Sequence, residues 1–128
     1  MNDKPTFAPM LTIPNGVTDI SFYFNAFDAV ELRRFGNDDG SIHVSELSIN
    51  GTMFHLHEET AHSGMLSPKK SKPSVTIGLF VDDVHAVIAQ AVAAGAVVKS
   101  PVQDYDYGYR QGEIDDPFGH RWQIQKAI

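Results

Sequence analysis

Residues 108–122 read Gly-Tyr-Arg-Gln-Gly-Glu-Ile-Asp-Asp-Pro-Phe-Gly-His-Arg-Trp. This stretch predicts two strands, at about 110–115 and 120–126, joined by Asp116-Pro117-Phe118-Gly119, in which proline and glycine hold favoured turn positions. Working outward, 103–109 reads as a loop and 96–102 as a strand. Before them Val84, Val87, Ile88, Ala91 and Val92 make one helical stripe. Asp82 or Asp83 supplies its N-cap, and Gly95 ends it near Ala94. Ser-Val-Thr-Ile-Gly-Leu-Phe-Val at 74–81 reads as a strand in front of that helix. This half of the chain is therefore βαβββ.

The same order stands upstream. A strand is predicted at 7–13. A helix follows over 17–29, with Val17, Ile20, Phe24 and Phe27 on one face and Asp19 in its first turn. Strands at 30–35, 42–49 and 52–58 complete the unit, the last two joined by Asn50-Gly51, the strongest short hairpin signal. A shift of 67 residues lays Val17 on Val84, Ile20 on Val87, Ala29 on Ala96 and Val30 on Val97 without a gap. That pattern points to internal duplication. Between the halves, 59–73 is polar and Pro-bearing, and Lys69, Lys70 and Lys72 read as solvated linker charge. The expected organisation is one domain, 1–128: module one at about 7–58, a linker at 59–73 and module two at about 74–126. Residues 1–5 are expected to fray.

Composition narrows the function. At 128 residues the chain is the length of one domain, and its 42% apolar content is enough for a core. The formal charge of -6 disfavours nucleic acid and anionic membrane, which reward basic patches. The chain has no cysteine, which excludes disulfides, iron–sulfur clusters, thiolate zinc and a cysteine nucleophile. No apolar run approaches a membrane span, and the first residues lack a signal-peptide pattern, so a cytoplasmic protein is expected. Phosphate-loop, nucleophile-elbow and HExxH motifs are also missing from the sequence.

Strand periodicity sorts the side chains. A two-residue turn at Asn50-Gly51 pairs Ile49 with Thr52 and Glu46 with His55. Val44, Glu46, Ser48, Met53, His55 and His57 then share one face, and Leu47, Ile49, Phe54 and Leu56 the core face. By the same period Phe7, Leu11 and Ile13 share a face, as do Val75, Ile77, Leu79 and Val81. Trp122 and Ile124 oppose Arg121, Gln123 and Gln125. The apolar faces are expected to pack on helices, and the mixed faces to line a cavity.

Three stretches carry a resemblance to a known family. They are Ile20-Ser21-Phe22-Tyr23 with Phe27, Leu79 through Val84 with Ala93-Ala94-Gly95-Ala96, and above all Gly108–Gly112 through Asp116–Trp122. In their order and spacing the chain resembles the vicinal oxygen chelate superfamily of glyoxalases, bleomycin-resistance proteins and extradiol dioxygenases, and within it the PhnB-like branch. The resemblance implies an α+β fold in which two βαβββ modules form a half-open mixed β-barrel around a cavity, and it implies a homodimer. It also implies metal-ligand positions on four strands, carried over here to Ala8, Glu46, Thr76 and Gln123. Of these only Glu46 is an ordinary strong ligand, so the usual metal site reads as degenerate and no cofactor is expected.

The alternative is a divalent metal relocated to Glu46, His55 and His57, two imidazoles and a carboxylate on one face. Glu46 and His55 also read either as a catalytic acid–base pair or as a satisfied polar pair. The candidate ligand-binding residues are Thr76, Tyr107, Arg110, Arg121 and Gln123. Arg110 is either an anion anchor or an ion-pair partner of Asp104, Asp106 or Asp115. His120 reads as structural. The leading expectation is a protein that binds a small organic ligand, without nucleic-acid or membrane partners. A metal-dependent lyase or dioxygenase, and a metal-free isomerase or lyase with Glu46 as base, stand as alternatives, so enzymatic activity stays open.

Overall fold

The computed structural model describes residues 4–62, 64–69 and 72–128. Residues 1–3 of the expected frayed end, and Lys70 of the linker lysines, lie outside the described residues. The elements are β1 (Met10–Ile13), α1 (Ser21–Phe27), β2 (Val30–Gly36), β3 (Ile42–Ile49), β4 (Thr52–Glu58), β5 (Thr76–Phe80), α2 (Val84–Ala94), β6 (Val97–Tyr105), β7 (Tyr109–Asp115) and β8 (Arg121–Ala127). They form two four-stranded mixed sheets, ordered β1-β4-β3-β2 and β5-β8-β7-β6. In each, the strand before the helix runs parallel to the last strand and the other pairs are antiparallel. This is the expected α+β fold of two βαβββ units.

One face of the inner strands supplies the core. Leu47, Phe54 and Leu56 from module one, with Ile114, Trp122 and Ile124 from module two, join Tyr23, Phe27, Ile88 and Ala91 of the helices in one buried cluster. Aromatic edges hold it together: Phe27 and Tyr23 both lie against Trp122, at ring-centroid distances of 4.8 and 6.2 Å. A polar stitch crosses the modules where the His120 ring Nε2 lies 2.7 Å from the Thr12 carbonyl oxygen.

Several boundaries differ from expectation, each for a physical reason. β1 begins at Met10, and Phe7 is 98% exposed rather than on the core face. Pro9 lends its carbonyl to the His55 N–H but has no N–H to continue the ladder. α1 begins at Ser21, not Val17, because the Val17 carbonyl accepts from the Ile42 N–H of β3. Asp19 lies before the helix and accepts from the Ser21 N–H at 2.8 Å. The helix ends at Phe27, with Asp28 in the left-handed region at φ 55°. β5 is shorter than predicted, and Val75 is 69% exposed.

The loop expected at 103–109 is instead a hairpin. β6 runs to Tyr105, β7 starts at Tyr109, and Gly108 at φ 91° makes the turn possible. The second of two shifts in the β6 register, between Ser100 and Gln103, contains Pro101, which cannot donate to the ladder. The linker is also more than solvated chain. Thr60 bridges Met65, Ser67 is fully buried and its N–H reaches the Glu59 carboxylate, and Pro68 packs by Gly119.

The duplication slips by one residue at the inner hairpins. Residues 48–53 lie between the paired Leu47 and Phe54, and 115–121 between the paired Ile114 and Trp122, so the second hairpin is one residue longer. The 67-residue shift that relates Leu47 to Ile114 becomes 68 from Phe54 to Trp122.

Candidate functional site

The expected register of β3 and β4 is present: Ile49 pairs with Thr52 and Glu46 with His55. β1 adds Met10 beside His55, and β2 adds Arg33 beside Glu46. In sheet two Glu113 pairs with Gln123, which faces Gly78, and Asp115 pairs with Arg121, which faces Thr76. Register therefore makes His55 the counterpart of Gln123, and Glu113 the counterpart of Glu46. The candidate set Ala8, Glu46, Thr76 and Gln123 mixes an inner strand with the parallel-paired ones, and Ala8 lies ahead of β1.

Charges on the sheet-one face are engaged locally. The Arg33 guanidinium donates to Glu46 at 3.1 Å. The His55 Nε2 lies 3.0 Å from Met53 Sδ, and the His57 Nδ1 lies 2.6 Å from the Glu58 carbonyl oxygen. His43 Nδ1 is 2.9 Å from the Glu58 carboxylate. Among the described residues no hydrogen bond joins Glu46 to His55, and no group of three or more histidines and carboxylates is placed to hold a metal ion. Glu46, His55 and His57 share a face but do not converge. Residues two apart on a strand start roughly 7 Å apart and meet only through favourable rotamers, and here each ring turns to its own neighbour. The family's usual positions do not fit a metal either. Ala8 has no donor atom, Thr76 offers a neutral hydroxyl, Glu46 holds Arg33, and Gln123 points its amide at Gln125.

Sheet two carries a different chemistry. The amides of Gln111 and Gln123 both donate to Gln125 Oε1, each at 2.8 Å, and Tyr107 donates to Gln111 Oε1 at 2.5 Å. Gly78 lies beneath, and a Cβ there would sit 2.7 Å from Gln125 Nε2. Arg121 is held by Asp115 and, at 3.2 Å, by Glu113; the hydrogen bond to Asp115 raises its pKa further. Arg110 lies on the other face. β7 is regular from Tyr109 to Asp115, so Arg110 shares the side of Gly112 and Ile114, toward α2. There it grips Asp104 with two hydrogen bonds of 2.7 and 3.2 Å, which raise the arginine and lower the aspartate. Of the candidate residues, Thr76 lines a cavity of about 630 Å³ between β1, the linker and β5. Tyr107 is exposed at the β6–β7 turn.

Sequence reasoning missed a buried polar hub. Asp116 is 4% exposed and accepts from Tyr23 Oη at 2.7 Å, Trp122 Nε1 at 3.0 Å, and the N–H groups of Phe118 and His120. It also did not single out Gln111, which lies in the strand expected at 110–115 and shares a face of β7 with Tyr109 and Glu113.

The family described as "Glyoxalase At5g48480-like C-terminal domain" matches residues 76–125. An uncharacterised protein of Mycobacterium bovis is 36% identical over 134 residues, spanning 100% of this chain and 87% of that protein. The chain belongs to the glyoxalase family. A solved gene product of Arabidopsis thaliana superposes with a TM-score of 0.77 at 28% identity, covering 98% of this chain and 99% of its own. A PhnB protein of Bacillus cereus shares the fold at 16% identity, with a TM-score of 0.72 over 96% and 100% of the two chains. The fold of a glyoxalase is thus present with side chains that depart from a metal centre. Among the described residues no helix is long and apolar enough to cross a membrane.

Proposed function

We propose that this glyoxalase-family chain binds a small organic molecule without metal-dependent turnover, as a cytoplasmic homodimer. The observation that carries the reading is the chemistry of the sheet-two face. Its charges are already paired within the sheet, whereas Gln111, Gln123 and Gln125 present a neutral amide cluster. Phe80 and Tyr109 lie beside it, with ring centroids 6.4 Å apart. Amides next to aromatic rings suit a flat ligand with its own donors and acceptors. Such a site recognises through hydrogen bonds and stacking, and needs neither a Lewis acid nor a free base.

The test is elemental analysis of untagged protein after incubation with zinc, iron, nickel and manganese and then desalting, paired with a thermal-shift screen of small aromatic amides and acids. We expect no stoichiometric metal, and at least one compound that raises the melting temperature saturably in the native protein but not in Gln123→Ala. One metal per chain, lost in a His55→Ala, His57→Ala double variant, would replace this reading with the relocated-metal enzyme.

A further inference from the structure

The duplication gives the module junction two ends, and they are not filled alike. At one end the longer hairpin folds over the C-terminus of α2. Pro117 lies so close to Gly95 that a Cβ there would be 3.6 Å from Pro117 Cγ. The Phe118 ring stacks on Tyr23 with centroids 6.3 Å apart. At the other end the hairpin is a residue shorter, and its turn, Asn50-Gly51, carries no ring. The place that Pro117 and Phe118 occupy at the first end is here a cavity of about 470 Å³. Phe27, Phe54, Leu79, Val87 and Trp122 wall it, and Asp28, Asn50 and Gln90 stand among its polar groups. Phe54 and Trp122 meet edge to face there, with centroids 5.8 Å apart.

Asp28 is the second observation. It caps α1 as Gly95 caps α2, and both have positive φ, 55° and 122°. Glycine adopts that conformation without strain, and a carboxylate residue less readily. Stability alone would favour glycine at both ends. The Gln90 amide donates to the Asn25 carbonyl at 2.7 Å and approaches Asp28 Oδ1 at a longer 3.4 Å, which keeps the amide beside the carboxylate.

We infer that this cavity, which borders the sheet-two face at Gly78 and Phe80 but is not lined by its glutamines, is a ligand site of its own, and that it takes a small aromatic cation. The ring lies against Phe54, Val87 and Trp122, in the space that Phe118 fills at the other end, and the ammonium reaches Asp28. The apolar walls supply affinity and the single carboxylate supplies the preference for positive charge.

Trp122 is the chain's one tryptophan and reports on its own wall. The probe is 4-nitrobenzylamine, a cationic ring that quenches indole fluorescence, with 4-nitrobenzoate as the anionic comparison. We expect saturable quenching by the amine, at least tenfold weaker binding of the benzoate, and a comparable loss for the amine in Asp28→Asn, which keeps a residue tolerant of positive φ. Val87→Phe should abolish binding by filling the cavity. Gln90→Phe, at an exposed position, repeats that test if Val87→Phe unfolds. Gln123→Ala should leave the quenching unchanged, which separates this site from the sheet-two face. The inference is overturned if the native protein shows no saturable quenching, if Asp28→Asn binds as well as native, or if quenching survives a folded Val87→Phe. Quenching that appears only on dilution to monomer would also overturn it, by giving the cavity to a second copy of the chain.

Discussion

Asp116 shows how one carboxylate can join two modules. An unpaired charge would be costly at this depth, but donors from Tyr23, Trp122 and two backbone amides surround it. Burial, together with the negative charge of Asp116, pushes the Tyr23 phenol well above its ordinary value of 10.0. The folded state therefore holds this proton more tightly than the unfolded chain does. Its contribution to stability is intact below about pH 10 and is lost as pH rises from there toward the folded value. Native protein should lose urea stability between pH 9 and pH 11.5 more steeply than Tyr23→Phe. At neutral pH the substitution itself should cost about 1–2 kcal/mol, because Asp116 loses one charge-assisted donor. Equal slopes in the two proteins would show that Tyr23 keeps no special hold on its proton.

At the level of elements, local signals were legible and non-local ones were not. Asp83 caps α2 by accepting from the Ala86 N–H at 3.0 Å, as an aspartate before an apolar stripe suggests, and the Asn50-Gly51 turn set its strand register. The start of α1 was hidden because a hydrogen bond from Ile42 takes the Val17 carbonyl, and nothing near Val17 announces that partner. β7 is regular from Tyr109 to Asp115, so Arg110 shares the α2 side with Gly112 and Ile114, and reading it as a cavity residue overlooks the parity of its own strand. The candidate site was therefore half legible: Glu46 and His55 pair as read, while Arg110 leaves the face and Gln111 joins it.

The same parity brings Gly112 under α2, where a Cβ would stand 2.5 Å from Ile88 Cδ1. Gly112→Ala should cost about 1–3 kcal/mol through overpacking. In an Ile88→Val background, which lacks that atom, the cost should shrink by about 1 kcal/mol, as chemical denaturation in a double-mutant cycle would show. Strict additivity would mean that α2 moves away as a unit.

For the whole molecule, the open faces raise the question of what covers them. Met10 and Met53 on the sheet-one face, and Phe80 on the sheet-two face, are at least 40% exposed. Apolar groups gathered on an open sheet mark contact surfaces more often than solvated ones. Within the chain the two polar faces belong to separate sheets. We propose that a second copy covers them, laying its sheet-one face, with Glu46 and His55, over the Gln123 face of the first. A twofold pair of this kind would build two equivalent sites. Sedimentation velocity should then show a homodimer. Met10→Lys, a change at a 60% exposed side chain beside His55, should give a folded monomer. The same variant should lose the thermal shift produced by whichever screened compound stabilises the native protein through Gln123, because half of that site would come from the partner. A Met10→Lys monomer that keeps the full shift would place the ligand within one chain and leave the dimer, if present, without a part in binding.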